Sequence, residues 1–346
     1  MLTHNGVSVI RFGAYKRVDD TFVDWFELIV AEHKRDPFDV LHAYFLTQAG
    51  FIATYAGKYL DVPSVVSIRG NDIERAVFDP SKFSHVMYAL QHASAVTTNT
   101  SELAKKTKAF FDREIILIPN GIDAEHFKPT EKITKLLQTL RLIPFEASGL
   151  PEYSWNKQTS PFQNRVIGFV GELREKKGLK TLLSAYAQVN KNKSTTLLIV
   201  GVVRQGEDKE FFDEFCMLNP NLQIIVTGYV PPSDLPTYYS LIDVFVHPSL
   251  RDGMPNALLE AMACGKPVIA TPVGGMLDVI HDSENGIFVP VNDTDALATA
   301  IHELLNNSEL RQRFGKAARQ TVVDCFPLQK ELDANLDVYR RLGLNP

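Results

Sequence analysis

Two carboxylates, Asp252 and Glu260, stand eight positions apart in HPSLRDGMPNALLEAMACGKPVIATPVGG (247–275). A strand DVFVHPS (243–249) would open into a loop over 250–254. Pro255 then suits the first helical position, where its missing N–H costs nothing. The helix would run through Asn256, Leu258 and Met262 to a left-handed cap at Gly265, with Pro267 preventing continuation. The amides of Asn256, Ala257 and Leu258 would have no intrahelical acceptor and would sit at the positive end of the helix dipole, where an anion is favoured. Glu260 lies about one turn deeper, and helical side chains lean back toward the N-terminus. Its carboxylate accepts only, which suits the two O–H donors of a vicinal diol. Anion plus diol outlines a nucleoside diphosphate, with phosphates at the helix start and ribose on Glu260. Asp252, with the amides of Gly253 and Met254, would face whatever extends beyond the phosphates. The plainer alternatives are an Asp-Gly turn and a solvated helix glutamate. Glu260, however, interrupts the apolar Leu258, Leu259 and Met262, and a carboxylate among core positions needs a partner.

These residues need a scaffold, and the C-terminal half supplies short apolar runs separated by helical patterns. The runs are RVIGFVG (165–171), TTLLIVG (195–201), LQIIVTG (222–228), DVFVHPS, PVIATPVGG (267–275) and GIFVPV (286–291). Unbroken apolar strands alternating with helices indicate a parallel sheet covered on both faces, a doubly wound domain. The N-terminal half repeats this rhythm in VSVIRFG, VLHAYF, SVVSIRG, AVTTNT and IILIPNG. His42 and His247 read as satisfied strand-end histidines without a ligand role. The division expected is a first doubly wound domain over 1–127, a linker and exposed loop over 128–164, a second doubly wound domain over 165–325 and a C-terminal segment over 326–346. In that last segment Leu328, Leu332, Leu336, Tyr339 and Leu342 recur at helical spacing, as for a helix docking on the body.

Composition narrows the function. With 346 residues the chain is long enough for two domains, and a net charge of -5 disfavours nucleic acid as a partner. Lys105, Lys106 and Lys108, and Lys34 with Arg35, read as solvated faces, with contact to anionic lipid as the alternative. Three scattered cysteines exclude a full disulfide framework. With no signal-like start and no apolar run of about 18 residues, a cytoplasmic, at most membrane-peripheral, protein is expected. GxxxxGK[ST] and G-x-G-x-x-G are both missing, so a nucleotide must be held by other means.

The segment DGMPNALLEAMACGKPVIATPVGG resembles the E-x7-E donor-site signature of family 4 glycosyltransferases. IPNGIDAEHF (118–127), VGELREKKGL (170–179), TGYVPPSDLPTYYSLIDVFVHPS (227–249) and ENGIFVP (284–290) fall in that family's order. The resemblance implies an α/β GT-B fold, two doubly wound Rossmann-like domains facing a cleft. It also implies a retaining transferase that moves a sugar from a UDP- or GDP-sugar to a glycan, lipid-linked or small-molecule acceptor. Glu260 would bind the donor ribose and Asp252, where the family more often has Glu, the transferred sugar. Gly253, Met254, Asn256, Ala257 and Leu258 would line the donor, and the base would lie near the Gly228-Tyr229-Val230 turn. Gly171 ends a strand, and Lys177-Gly178 matches the family's Lys-Gly on the donor diphosphate. The family's arginine position holds Glu172, so either Arg174 reaches the phosphates or the site works with one cation fewer. These cations would stabilise the charge left on the diphosphate as the sugar departs, with no bound metal or cofactor. REKK read alone could also be an exposed turn with self-compensating charges.

Two further departures concern the N-terminal half. In SIRGND (67–72), Arg69 stands where the family often has His, while Gly70 and Asp72 remain. Arg69 would meet an anionic acceptor or pair with Asp72. VSVIRFG matches a later strand of the family, so the first strands and their Gly-Gly loop are expected to be absent and the N-terminal domain incomplete. A fragment, a partner chain completing the sheet, or a rearranged domain would each account for that. The second functional reading is accordingly a nucleotide-sugar-binding pseudoenzyme or subunit; sugar phosphorylases and epimerases on the same fold are a third.

Overall fold

The computed structural model describes residues 2–4, 7–11, 18–132, 134–140, 165–190 and 195–345, and the chain divides into two units, Met1–Ile118 with Ala334–Pro346, and Pro119–Asp333. In the first unit, β1 (Leu2–His4) and β2 (Val7–Val9) form an antiparallel pair. β3 (Leu41–Tyr44), β4 (Ser64–Ile68), β5 (Ala95–Thr98) and β6 (Ile116–Leu117) form a parallel sheet in that order. β4 and β5 are buried along their whole length, as unbroken apolar or small runs require. One face packs Val66, Ile68 and Val96 against Val86 and Leu90, while Val65, Ala95 and Ile118 pack against Val338 of the last helix.

The expectation for VSVIRFG is corrected. Among the described residues of the run, 7–11, Val7–Val9 is extended; it pairs with β1 outside the parallel sheet, and Val7 is 63% exposed. Three residues of strand offer few ladder hydrogen bonds with which to compete for a place in the parallel sheet. Among the described residues β3 has β4 as its one strand neighbour and so forms an edge. His42 on β3 is held by Tyr339 Oη at 2.7 Å and Ser67 Oγ at 2.8 Å, the satisfied histidine expected. Burial, with Arg69 nearby, pushes its pKa down to about 4, so the ring is neutral at ordinary pH.

In the second unit all six expected runs are strands: β7 (Arg165–Val170), β8 (Thr195–Val200), β9 (Gln223–Val226), β10 (Val244–His247), β11 (Val268–Ala270) and β12 (Ile287–Phe288). They are parallel in the order β12-β11-β10-β7-β8-β9. Alternate side chains enter opposite cores. Val166, Val170 and Phe245 pack with Leu258 and Met262; Ile167, Phe169, Val244 and Val246 pack with Leu182, Tyr186 and Ile301. Strand order reverses between β7 and β10, and at such a reversal the loops leaving the two carboxyl ends part to form a crevice.

The unit boundary also differs from the expected one. Residues 119–127 belong to the second unit, because Ile122 and Phe127 are buried in its core and Ile122 bridges to Pro327. A short helix, Thr134–Thr139, follows; residues 141–164 of the expected linker lie outside the described residues. The final helix, Leu328–Arg341, does not bury the expected leucine stripe. Leu328 and Leu332 are 52% and 49% exposed, and Val338 is the buried residue, flanked by half-buried Ala334, Tyr339 and Leu342. Its first turns belong to one unit and the rest to the other, so no single stripe faces one core.

Candidate functional site

The site is assembled where the strand order of the second unit reverses. β7 ends at Val170, and Gly171 (φ 127°) turns the chain outward. A single 3-10 turn, Glu175–Lys177, follows and is closed by Gly178 in the left-handed region (φ 80°). A Cβ on Gly178 would fall on the carbonyl oxygen of Pro248, so only glycine lets the β7 loop approach the end of β10. Leu250 N donates to Lys176 O at 2.9 Å, tying the two loops together.

That approach puts Lys177 beside Asp252. Asp252 Oδ2 lies 2.5 Å from Lys177 Nζ, 2.9 Å from His247 Nε2 and 3.2 Å from Ser249 Oγ, while Oδ1 accepts from Gly253 N at 3.0 Å. The pull of His247 and Lys177 overcomes burial and holds the Asp252 carboxyl well below the usual range. Asp252 thus fixes Lys177 through Oδ2, and its Oδ1 takes the Gly253 amide that was expected to face a ligand. The shorter aspartate arm is the reason: it keeps the charge close to its own loop and within reach of β10. Arg174 is not brought into this cluster; its Nη1 lies 3.2 Å from Glu172 Oε2.

Across the crevice the helix spans Asn256–Ala263, with Pro255 as its extended N-cap (φ -77°, ψ 113°) rather than its first helical residue. Leu258 donates its amide to Pro255 O at 3.1 Å, and its side chain is fully buried, so Leu258 offers nothing outward. The amides of Asn256 and Ala257 have no acceptor among the described residues, as a helix start leaves them. Met254 buries its side chain in the core, leaving only its amide for a ligand. Asn120 Nδ2 donates to Asn256 Oδ1 at 2.8 Å, holding the helix start from a segment distant in sequence. Gly265 (φ 68°) supplies the left-handed residue after the helix, as expected.

Glu260 finds the partner that its apolar neighbours require. The hydroxyl of fully buried Tyr239 lies 2.7 Å from Glu260 Oε2 and 3.1 Å from Ala257 O. Glu260 Oε1 has no hydrogen-bond partner among the described residues. Burial raises the Glu260 pKa, and the Tyr239 hydrogen bond opposes it. Gly228 (φ 76°) donates to Gly201 O at 3.0 Å, and Val230 packs half-buried against the core that carries the helix.

The Gly-Gly pair after β11 supports the Asp252 loop. Gly275 N donates to Gly253 O at 2.7 Å, and a Cβ on Gly274 (φ 55°) would overlap the Asp252 carbonyl. Gly274→Ala is therefore expected to cost about 1–3 kcal/mol of stability and to displace Asp252. A lower melting temperature together with weaker UDP or GDP binding would show this; unchanged values for both would refute it.

In the other unit, Asp72 is 2% exposed and accepts from the amides of Leu46, Gly70 and Arg69 at 3.1, 2.9 and 3.4 Å. Burial raises its pKa against those bonds. The Arg69 guanidinium lies 4.6 Å from the centre of the Tyr44 ring. Tyr239, His247, Ser249 and Asn120 were missed as site residues by sequence reasoning. His247 and Ser249 flank Asp252 closely enough for their polarity to have been a signal, whereas nothing local marks Tyr239 or Asn120.

Residues 4–126 match the family model described as Glycosyltransferase Family 4, and residues 154–321 match Glycosyl transferases group 1. An uncharacterized glycosyltransferase of Methanocaldococcus jannaschii is 24% identical, covering 99% of this chain and 86% of its own. The capsular polysaccharide biosynthesis glycosyltransferase CapM of Staphylococcus aureus is 28% identical over 325 residues, covering 88% of this chain and 76% of its own. Among solved structures, HepE of Anabaena in complex with UDP-glucose superposes with a TM-score of 0.76 at 20% identity, covering 90% of this chain and 81% of HepE, a likeness of fold. The chain belongs to the family 4, group 1 glycosyltransferases of GT-B fold, and is a glycosyltransferase that draws on a nucleotide-sugar donor.

Proposed function

We propose that this enzyme moves a sugar from a UDP- or GDP-sugar, with retention of anomeric configuration, to a glycan, lipid-linked or small-molecule acceptor. One observation carries the reading of the site. Asp252 holds the Lys177 ammonium at the loop that leads into the Asn256–Ala263 helix; two amides at that helix start, and one carboxylate oxygen of Glu260 a turn deeper, have no partner among the described residues. The donor diphosphate would rest on the Asn256 and Ala257 amides and be neutralised by Lys177. The ribose diol would donate to Glu260 Oε1, and the base would lie against the Gly228–Val230 turn. Gly171, with open space where a Cβ would stand, permits close approach of the donor to the backbone.

As the sugar leaves, about one unit of negative charge develops on the diphosphate, and fixed positive groups stabilise that charge more than the bound ground state. Asp252 keeps Lys177 in place for this and can offer its Oδ1 to a sugar hydroxyl. Arg174 would contribute only after leaving Glu172. Charge on Lys177 and the helix amides suffices in this scheme, so no metal is required. Arg69, held against Tyr44, would meet an anionic part of the acceptor, with Asp72 fixing the turn that carries it. CapM, named for capsular polysaccharide biosynthesis, supports a glycan acceptor.

Incubation with UDP- and GDP-sugars and a panel of acceptors tests the reading. Acceptor-dependent release of nucleotide that persists in EDTA, with a product of unchanged anomeric coupling in NMR, is expected. Nucleotide binding without turnover would overturn the transferase reading in favour of a binding subunit; an inverted product would remove retention.

A further inference from the structure

We propose that His247 is a positioning residue: by donating its Nε2 hydrogen to Asp252 it holds that carboxylate, and through it the Lys177 ammonium, where the donor diphosphate is met. The inference rests on the proposed role of Lys177, and it assigns a part in catalysis to a side chain that never touches the substrate.

His247 is the last residue of β10 and is 1% exposed. Its ring lies nearly parallel to those of Phe169 (centroids 6.0 Å apart, 9° between planes) and Phe245 (6.1 Å, 18°), which fixes the plane of the imidazole. Nε2 is 2.9 Å from Asp252 Oδ2, and Nδ1 is buried with no hydrogen-bond partner among the described residues. A carboxylate can only accept, so the proton sits on Nε2 and Nδ1 is bare. Protonating Nδ1 would bury an unpartnered N–H in apolar surroundings and add a second cation beside Lys177. Burial and Lys177 lower the His247 pKa, Asp252 opposes them, and the lowering prevails. The ring is thus a neutral, one-directional donor. The groups facing this pair are Lys177 from the β7 loop, and Ser249 and the Gly253 amide from its own loop.

A buried aromatic-packed histidine could instead serve only to fill space, and two variants separate the roles. His247→Phe keeps the ring and removes the donor. His247→Gln carries an amide nitrogen where Nε2 stood. If His247 positions Asp252, His247→Phe lowers kcat by about 10- to 100-fold, the equivalent of one hydrogen bond to a charged group. The KM for the donor changes far less, and His247→Gln recovers most of the loss. If the residue only fills space, the folded His247→Phe protein keeps its kcat, and the proposal is overturned.

A second readout needs no turnover. In 15N-labelled, ligand-free wild type, the histidine whose signals are missing from His247→Gln should show the neutral Nε2–H tautomer at neutral pH. A charged ring or an Nδ1–H tautomer there overturns the proposal whatever the activity. The expected tautomer in a protein that turns over no nucleotide-sugar would sink the transferase reading while leaving the His247–Asp252 contact standing.

Discussion

Replacing Glu260 with alanine is expected to weaken UDP or GDP binding about 10- to 150-fold by calorimetry. A hydrogen bond to a charged group contributes about 1.5–3 kcal/mol, and Oε1 is the oxygen left over for the ribose. The fold should survive, because the Tyr239 hydroxyl released by the substitution already lies 3.1 Å from Ala257 O. Unchanged affinity would remove Glu260 from the site.

The protonation state of Glu260 adds a pH signature. Its folded pKa is raised above the ordinary value of 4.5 by burial. The stability this group contributes is fully present below that ordinary pKa and is lost as pH rises through the raised one. Nucleotide affinity runs the other way, falling as pH drops through the raised value, because the carboxylate loses the charge that strengthens its grip. Glu260→Gln should therefore flatten the acid limb of nucleotide affinity and gain stability relative to wild type above it. Folding prefers the neutral acid and binding the carboxylate, as suits a residue kept for a ligand rather than for packing.

The second large effect is on kcat. Lys177→Ala should reduce it about 10²- to 10³-fold, the scale on which removing a preorganised charge-stabilising group acts. Donor binding should weaken less, since the helix amides and Glu260 remain. Asp252 would keep His247, Ser249 and the Gly253 amide as donors, so the protein should fold. Lys177→Arg should recover only part of the rate, because a planar guanidinium does not reproduce a compact ammonium. Loss of donor affinity with kcat preserved would move Lys177 from stabilising departing charge to ground-state binding. The depressed Asp252 pKa means that this ion pair adds no acid limb near neutrality. Its contribution to stability is present above the ordinary Asp pKa and is lost only as pH falls through the depressed one.

Much of the second unit was legible because its strands are covered on both faces. A run such as TTLLIV or VFVH has to be continuously apolar or small, and that pattern is local. VSVIRFG misled for the complementary reason: a short run can be extended without joining the main sheet, and strand neighbours are chosen by the rest of the fold. The leucines of the last helix were placed by spacing alone, whereas burial depended on which unit each turn packs against, and that selected Val338.

The sequence by itself determined the donor-side inventory: a helix start after Pro255, a carboxylate at 260 among apolar neighbours, an acid at 252 and a lysine before Gly178. Residue type and local backbone chemistry dictate these, so a linear reading reaches them. Only the tertiary structure decided what those groups do to one another. Lys177 and Asp252 are 75 positions apart and meet because the order of strands reverses between β7 and β10. Tyr239 reaches Glu260 from a different helix, and His247 points into the site rather than merely ending a strand. Hydrogen bonds and ion pairs act over a few ångströms of space, and only packing brings residues distant along the chain within that range.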